Sequence, residues 1–262
     1  PDRGLLMALF KEFEFSSLLQ ELKIGQEDKA GDYRIVRTRE EMEALAAKLR
    51  DARAFSIDPL LSSGEAMKAS MVGLAISPKP GEGFYVPVAH DEAGAQPSIG
   101  TLLEVLGPLL SDPMIRKHGQ DLKTTLIVLA ESGVPLRGLG CDTMIASYLL
   151  NPARHSFELA DTVLDHLGRR IPSAKEVVGS GAKAVSPAAL PVEKAADYAV
   201  RRSDAVMALV PDLTAKIATV AMKELLDEVE MPLLEVLAAM ERQGVLLDLG
   251  LLRTMSLEIE QL

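Results

Sequence analysis

Ala54-Phe-Ser-Ile-Asp58-Pro-Leu-Leu-Ser-Ser-Gly64, continuing Glu65-Ala-Met-Lys-Ala-Ser-Met71-Val-Gly-Leu-Ala-Ile76, is the stretch on which the reading of this chain turns. Residues 54–57 and 71–76 are short apolar runs separated by a Ser-Ser-Gly turn, which predicts two adjacent strands with Asp58 at the end of the first. A carboxylate there is unusual, because an ionised Asp at the tip of a buried strand needs a cation or several hydrogen-bond donors to offset its desolvation. Strand-end Asp residues suit nuclease and phosphotransfer chemistry, and they also serve as plain caps and turn formers.

Outward from this pair, residues 84–88 give a third strand close by, so three consecutive strands suggest an antiparallel meander. Upstream, residues 33–36 form a short strand, and Thr38 with Glu41 makes a capping box for a helix to about Arg50. Before that, apolar residues at helical spacing (Leu5, Leu6, Leu9, Phe10, Phe13, Leu18, Leu19, Leu22) predict a helical tail over 4–22, followed by a polar linker. Downstream, a helix is expected over 99–110, a strand over 114–117 and a helix over 122–131. Asp142 is placed to cap a helix over 143–150, and another follows over 155–167. Residues 172–191, rich in Ser, Gly, Ala, Lys and Pro, are expected to be a mobile surface loop. A long helix is expected from Val192 to about Val210, where Pro211 should kink or break it. The helical pattern continues over 213–244, Gly244 reads as a C-cap, and Asp248 caps a last amphipathic helix.

The 262 residues are 48% hydrophobic and 25% charged, which describes a soluble globular protein with a proper core: one large domain and an appendage. A net charge of −10 argues against a strong nonspecific grip on nucleic acid, since that affinity comes from Lys and Arg neutralising phosphates. Cys141 is the single cysteine, which forbids an internal disulfide, fits a cytoplasmic location and reads as an inert core thiol. No apolar run approaches the roughly 18 residues of a membrane span, and the N-terminus has no charged-then-apolar leader, so no membrane partner is expected. The chain opens at Pro1 without Met and stops at Leu262 inside an amphipathic pattern, so it reads as a piece of something longer.

Several phrases converge on one family. Asp142-Thr-Met-Ile-Ala-Ser-Tyr-Leu-Leu-Asn-Pro152 resembles the helix after the second motif of the proofreading domains of bacterial DNA polymerase I, a family A polymerase. Glu230-Met-Pro-Leu, then Leu237-Ala-Ala-Met-Glu-Arg-Gln-Gly-Val245 and Asp248, is similar to the phrase that opens the polymerase domain there. Leu9-Phe10-Lys-Glu-Phe-Glu-Phe-Ser-Ser-Leu-Leu19 is similar to the end of the preceding flap-nuclease segment. The resemblance implies a division into 1–30, a tail from that segment; 31–212, a 3′–5′ exonuclease-like domain; and 213–262, the truncated start of a polymerase domain. It implies an α/β, ribonuclease H-like mixed sheet flanked by helices and followed by C-terminal helices. The family's reaction is removal of a mismatched 3′ nucleotide with two Mg²⁺ ions about 4 Å apart.

That chemistry needs several carboxylates, and the motif positions have mostly lost theirs. Asp-x-Glu reads here as Asp58-Pro59-Leu60. Asn-x-x-x-Asp reads as Asp121-Leu122-Lys123-Thr124-Thr125. Tyr-x-x-x-Asp reads as Tyr198-Ala-Val-Arg-Arg202. Asp58 and Tyr198 persist as vestigial catalytic residues, whereas Leu60, Thr125 and Arg202 replace metal ligands. The resemblance thus predicts a catalytically inactive structural domain of a replication and repair polymerase, with no metal or cofactor in this piece. DNA is expected to be met through the full-length, monomeric polymerase, with weak or no binding by the piece itself. The competing expectation is a residual exonuclease recruiting Asp121, Asp204 or Glu65; Asp204, two residues past Arg202, lies roughly 200° round the helix axis and should face elsewhere. A third reading, an interaction module unrelated to polymerases, requires the closing phrase to be accidental. His90, His118, His155 and His166 show no metal-ligand spacing and are expected to be structural or surface residues. Arg202 is expected to pair with Asp58, Arg201 to be exposed, and residues 233–262 to be the least anchored segment.

Overall fold

The structure is a computed structural model that describes residues 31–92, 94–181 and 184–260, together with 5–6, 9–10, 13 and 26–27. Most of the expected 4–22 helix lies outside the described residues; of the part that is described, Leu6 and Phe10 pack on Leu164.

Strand β1 (Asp32–Ile35) leads into helix α1 (Arg39–Ala52). The capping box is made as expected: Glu41 N–H donates to Thr38 Oγ1 at 3.2 Å, and Thr38 N–H donates to Glu41 Oε2 at 3.1 Å. Met42, Leu45, Ala46 and Leu49, at helical spacing, bury one face of α1. Strands β2 (Ala54–Leu61), β3 (Met71–Lys79) and β4 (Glu82–Pro87) form the anticipated meander. Then come α2 (Ile99–Leu110), β5 (Arg116–Gly119), α3 (Leu122–Glu131), β6 (Leu139–Asp142), α4 (Thr143–Leu150) and α5 (Leu159–Leu167). Strand order is β1-β4-β3-β2-β5-β6, with β1 parallel to β4, β5 parallel to β2 and β6 parallel to β5.

The period of two in β2 decides what meets what. Phe55 and Ile57 enter the core with Leu45 and Leu49 of α1. Ser56, Asp58 and Leu60 point to the other face, covered by the 28-residue helix α7 (Val192–Thr219). Helix α7 presses close because its contact residues are small (Ala195, Ala196, Ala199) and because β4 carries Gly83, where a Cβ would stand 2.2 Å from Val200 Cγ1.

Several local expectations are corrected. Pro211 does not end α7, which continues to Thr219; the proline is on the exposed side, where water can serve the carbonyl left without its N–H partner. The segment expected to be a mobile loop contains a helix, α6 (Ala174–Val178), with its own Ser173–Glu176 capping box. The helix expected from 155 begins at Leu159, the strand expected over 114–117 occupies Arg116–Gly119, and β6 was not anticipated. The 213–244 pattern is interrupted after α7: Ala221 takes a left-handed φ of 55°, a π-helical turn covers Leu225–Glu230, and α8 (Met231–Gln243) ends at Gly244. Helix α8 is anchored, contrary to expectation. It buries Met231, Leu234 and Ala238 and carries the ion pairs Lys123–Glu241 and Arg242–Glu131, both to α3. The last helix, α9 (Leu249–Glu260), buries no residue.

Candidate functional site

Strand β2 delivers Asp58 to the face under α7, and one turn of α7 sets Tyr198 and Arg202 on the same side. Arg202 Nε donates to Asp58 Oδ2 at 2.7 Å and Nη2 donates to Oδ1 at 3.2 Å, a two-pronged pair in which Asp58 is 6% exposed. Burial works against the guanidinium charge, but the adjacent Asp58 carboxylate more than offsets it and holds Arg202 above its ordinary pKa. The same guanidinium lies 5.5 Å from the centre of the Tyr198 ring. Burial pushes the Tyr198 hydroxyl above its ordinary pKa. The neighbouring Ser203 fixes the register of helix against strand. Its backbone carbonyl accepts from Ser56 Oγ at 2.7 Å, and the two hydroxyls are also 2.7 Å apart. Two serines in isolated contexts carried no signal for this contact.

The opposite wall is the N-terminus of α3. Asp121, at φ 56°, is its N-cap, accepting from Thr124 N–H at 3.3 Å and Thr124 Oγ1–H at 2.7 Å. Thr125, one turn in, is buried. This wall is braced by Asp142, which was read only as the cap of α4. Its carboxylate accepts from Met144 and Ile145 N–H and also from Asp121 and Leu122 N–H across the sheet edge. Complete burial raises the Asp142 pKa to about 6, while the amide donors of Leu122, Met144 and Asp121 pull the other way. Gln120 links this wall to the chain before α5, donating to Phe157 O at 2.7 Å and accepting from Thr143 Oγ1 at 2.6 Å.

Together these elements enclose a cleft of about 530 Å³, lined among others by Asp58, Asp121, Thr125, Glu158 and Arg202. Sequence reasoning gave no role to Glu158, quoted Gln120 only as half of the Gly-Gln pair ahead of the second motif, and expected His155, which also lines the cleft, to be a structural or surface residue. The motif spacing held no signal for a loop brought in from before α5. Leu60 packs in the apolar cluster with Tyr198. Asp204 faces away as expected, accepting from Tyr33 Oη at 2.9 Å and Gly81 N–H at 2.6 Å. Glu65 pairs with Lys68 on the surface. Arg201 is half-buried beside Tyr33 and pairs with Asp197 at 2.9 Å, so the expectation of an exposed Arg201 is corrected. His90 bridges Tyr85 Oη and Leu190 O, and His166 meets Asp212. Among the described residues no three His, Cys, Asp or Glu side chains converge in a metal-binding group.

The family profile described as DNA polymerase I, ribonuclease H-like domain matches residues 65–209, more than half of the chain. DNA polymerase I of Pseudomonas aeruginosa is 33% identical over 99% of this chain and 30% of its own length, so the chain spans about a third of that relative. Among solved structures, the POL domain of Pol1 from M. smegmatis in complex with DNA primer-template and dNTP superposes with a TM-score of 0.70 at 26% identity, over 87% of this chain and 35% of that one. Escherichia coli RNase D, an exoribonuclease, shares the fold with a TM-score of 0.61 at 17% identity, over 82% of this chain and 52% of that one. The mixed sheet flanked by helices is therefore ribonuclease H-like, and the chain belongs to the bacterial DNA polymerase I family, whose 3′–5′ exonuclease domain it carries.

Proposed function

We propose that this domain has lost exonuclease chemistry and serves as a structural part of a cytoplasmic DNA polymerase that acts in replication and repair and meets DNA through its other domains. The observation that carries this reading is the double hydrogen bond from Arg202 to Asp58. A divalent cation needs several oxygen ligands, and here Asp58, the one carboxylate kept at a ligand position, is already neutralised by Arg202. Leu60 offers no donor atom, Thr125 offers a neutral hydroxyl, and Arg202 adds a positive charge beside any incoming cation. These residues do not fit a pair of metal ions, and no step of hydrolysis is derived through one. Asp58 and Tyr198 are then a counter-ion and a packing residue. Incubation of the protein with end-labelled single-stranded DNA and Mg²⁺ or Mn²⁺ tests the reading; release of 3′ nucleotides that vanishes in Asp58→Ala would refute it.

A residually active exonuclease is the second reading. Asp121 and Glu158 favour it because they line the same cleft as Asp58. Against it stands the Asp121 carboxylate's engagement in capping α3. The same assay, repeated on Asp121→Asn, separates the two.

A further inference from the structure

Away from the cleft, a second cavity of about 360 Å³ lies between the β5–β6 edge, α7 and the π-helical turn. Its composition is graded. Cys141, Ile217, Leu226 and Met231, all buried, form an apolar floor, while Arg116, Lys223 and Asp227, all exposed, stand at the mouth. The backbone around it is unusual on its own account. Ala221 holds a left-handed φ of 55°, and the chain then makes six residues of π-helix, from which Leu226 enters the floor and Asp227 the mouth. Strained positions and π turns persist where the surroundings hold them in place, often at functional sites.

The charges at the mouth are unequal. Lys223 and Asp227 satisfy each other as an i, i+4 pair. Arg116 donates to the neutral carbonyl of Leu139 at 3.0 Å and has no carboxylate partner among the described residues. His118 adds a donor. Its Nδ1 accepts from Cys141 N–H at 2.9 Å, so the neutral ring carries its proton on Nε2, which has no hydrogen-bond partner among the described residues. An uncompensated guanidinium and an imidazole N–H over an apolar floor select a small molecule with one negative charge at one end.

We infer that this cavity is a binding site for a small amphipathic carboxylate, held with its apolar body on Ile217, Leu226 and Met231 and its carboxylate against Arg116. Binding is noncovalent, because burial pushes the Cys141 thiol up to about 12 and leaves it protonated at neutral pH.

Benzoate titrated into the isotope-labelled 262-residue protein is the probe, read by NMR at the Cys141 amide and the His118 ring. Saturable shifts at both are expected, with benzamide, the neutral analogue, binding at least tenfold more weakly. Arg116→Gln should abolish the preference for benzoate over benzamide, and Asp227→Asn should tighten benzoate severalfold by removing the one anion at the mouth. Both positions are exposed, and an unchanged melting temperature confirms that the variants fold. Equal affinity for benzoate and benzamide, no response at Cys141 and His118, or an unaltered preference in Arg116→Gln would overturn the assignment.

Discussion

Arg202 reaches across from α7 and closes both oxygens of Asp58 with hydrogen bonds of 2.7 and 3.2 Å, tying the long helix to strand β2 by a two-pronged ion pair. Removing one partner of a buried pair leaves the other uncompensated, which costs more than the pair itself contributes. Arg202→Asp, which replaces attraction by repulsion, should destabilise the protein by about 1–4 kcal/mol in EDTA. Denaturant unfolding of parent and variant measures this; equal midpoints would show that Asp58 does not depend on Arg202.

Rebuilding the ligand set should take three changes together. Leu60→Glu, Thr125→Asp and Arg202→Asp in one protein should create a site that Mg²⁺ stabilises by mass action, by about 2.7 kcal/mol when the free ion stands at a hundred times the dissociation constant. Arg202→Asp alone should show neither that Mg²⁺-dependent rise in melting temperature nor cleavage, and a rise in the parent would contradict the proposed loss of the site.

Short single-stranded DNA should bind the isolated 262-residue chain weakly or not at all at about 150 mM salt. The net charge is −10 and the chain has no Trp and 4% aromatic residues, which leaves little for phosphate neutralisation or base stacking. Fluorescence anisotropy giving a submicromolar dissociation constant would count against this.

His118 should make stability fall on acidification. Its Nδ1 accepts a backbone N–H, and burial lowers its pKa to about 4, with Arg116 adding to the effect. The unfolded chain, with a pKa of about 6.5, takes up a proton that the folded chain refuses. Stability is therefore complete above about pH 6.5 and is lost as pH falls towards 4, by about 1–3 kcal/mol. Unfolding curves of the parent and of His118→Asn, whose amide oxygen can accept the same N–H, should diverge in that window; parallel pH profiles would refute the assignment.

The C-terminal helices should differ in amide exchange. Helix α8 is held by Leu234, Ala238 and two ion pairs to α3, whereas α9 buries nothing. Protection is expected over 231–243 and rapid exchange over 249–260; comparable protection in a monomer would show that α9 is docked.

What the sequence determined by itself is local. The Thr38–Glu41 cap, the apolar runs over 54–57 and 71–76 and the meander that they begin all rest on short-range pattern. The Asp58–Arg202 pair was also legible, because family spacing already put both residues at one site. Tertiary structure alone decided the rest. Asp142 joins two helices because β6 lies beside β5, a pairing with no signature in four residues. Pro211 is tolerated because packing on the sheet holds α7 on both sides of it, and that outweighs one missing hydrogen bond. Helix α8 is docked because Met231, Leu234 and Ala238 are buried in the core, with ion pairs to Lys123 and Glu131 of α3 added at the rim, residues more than a hundred positions away from their partners whose proximity no local pattern encodes.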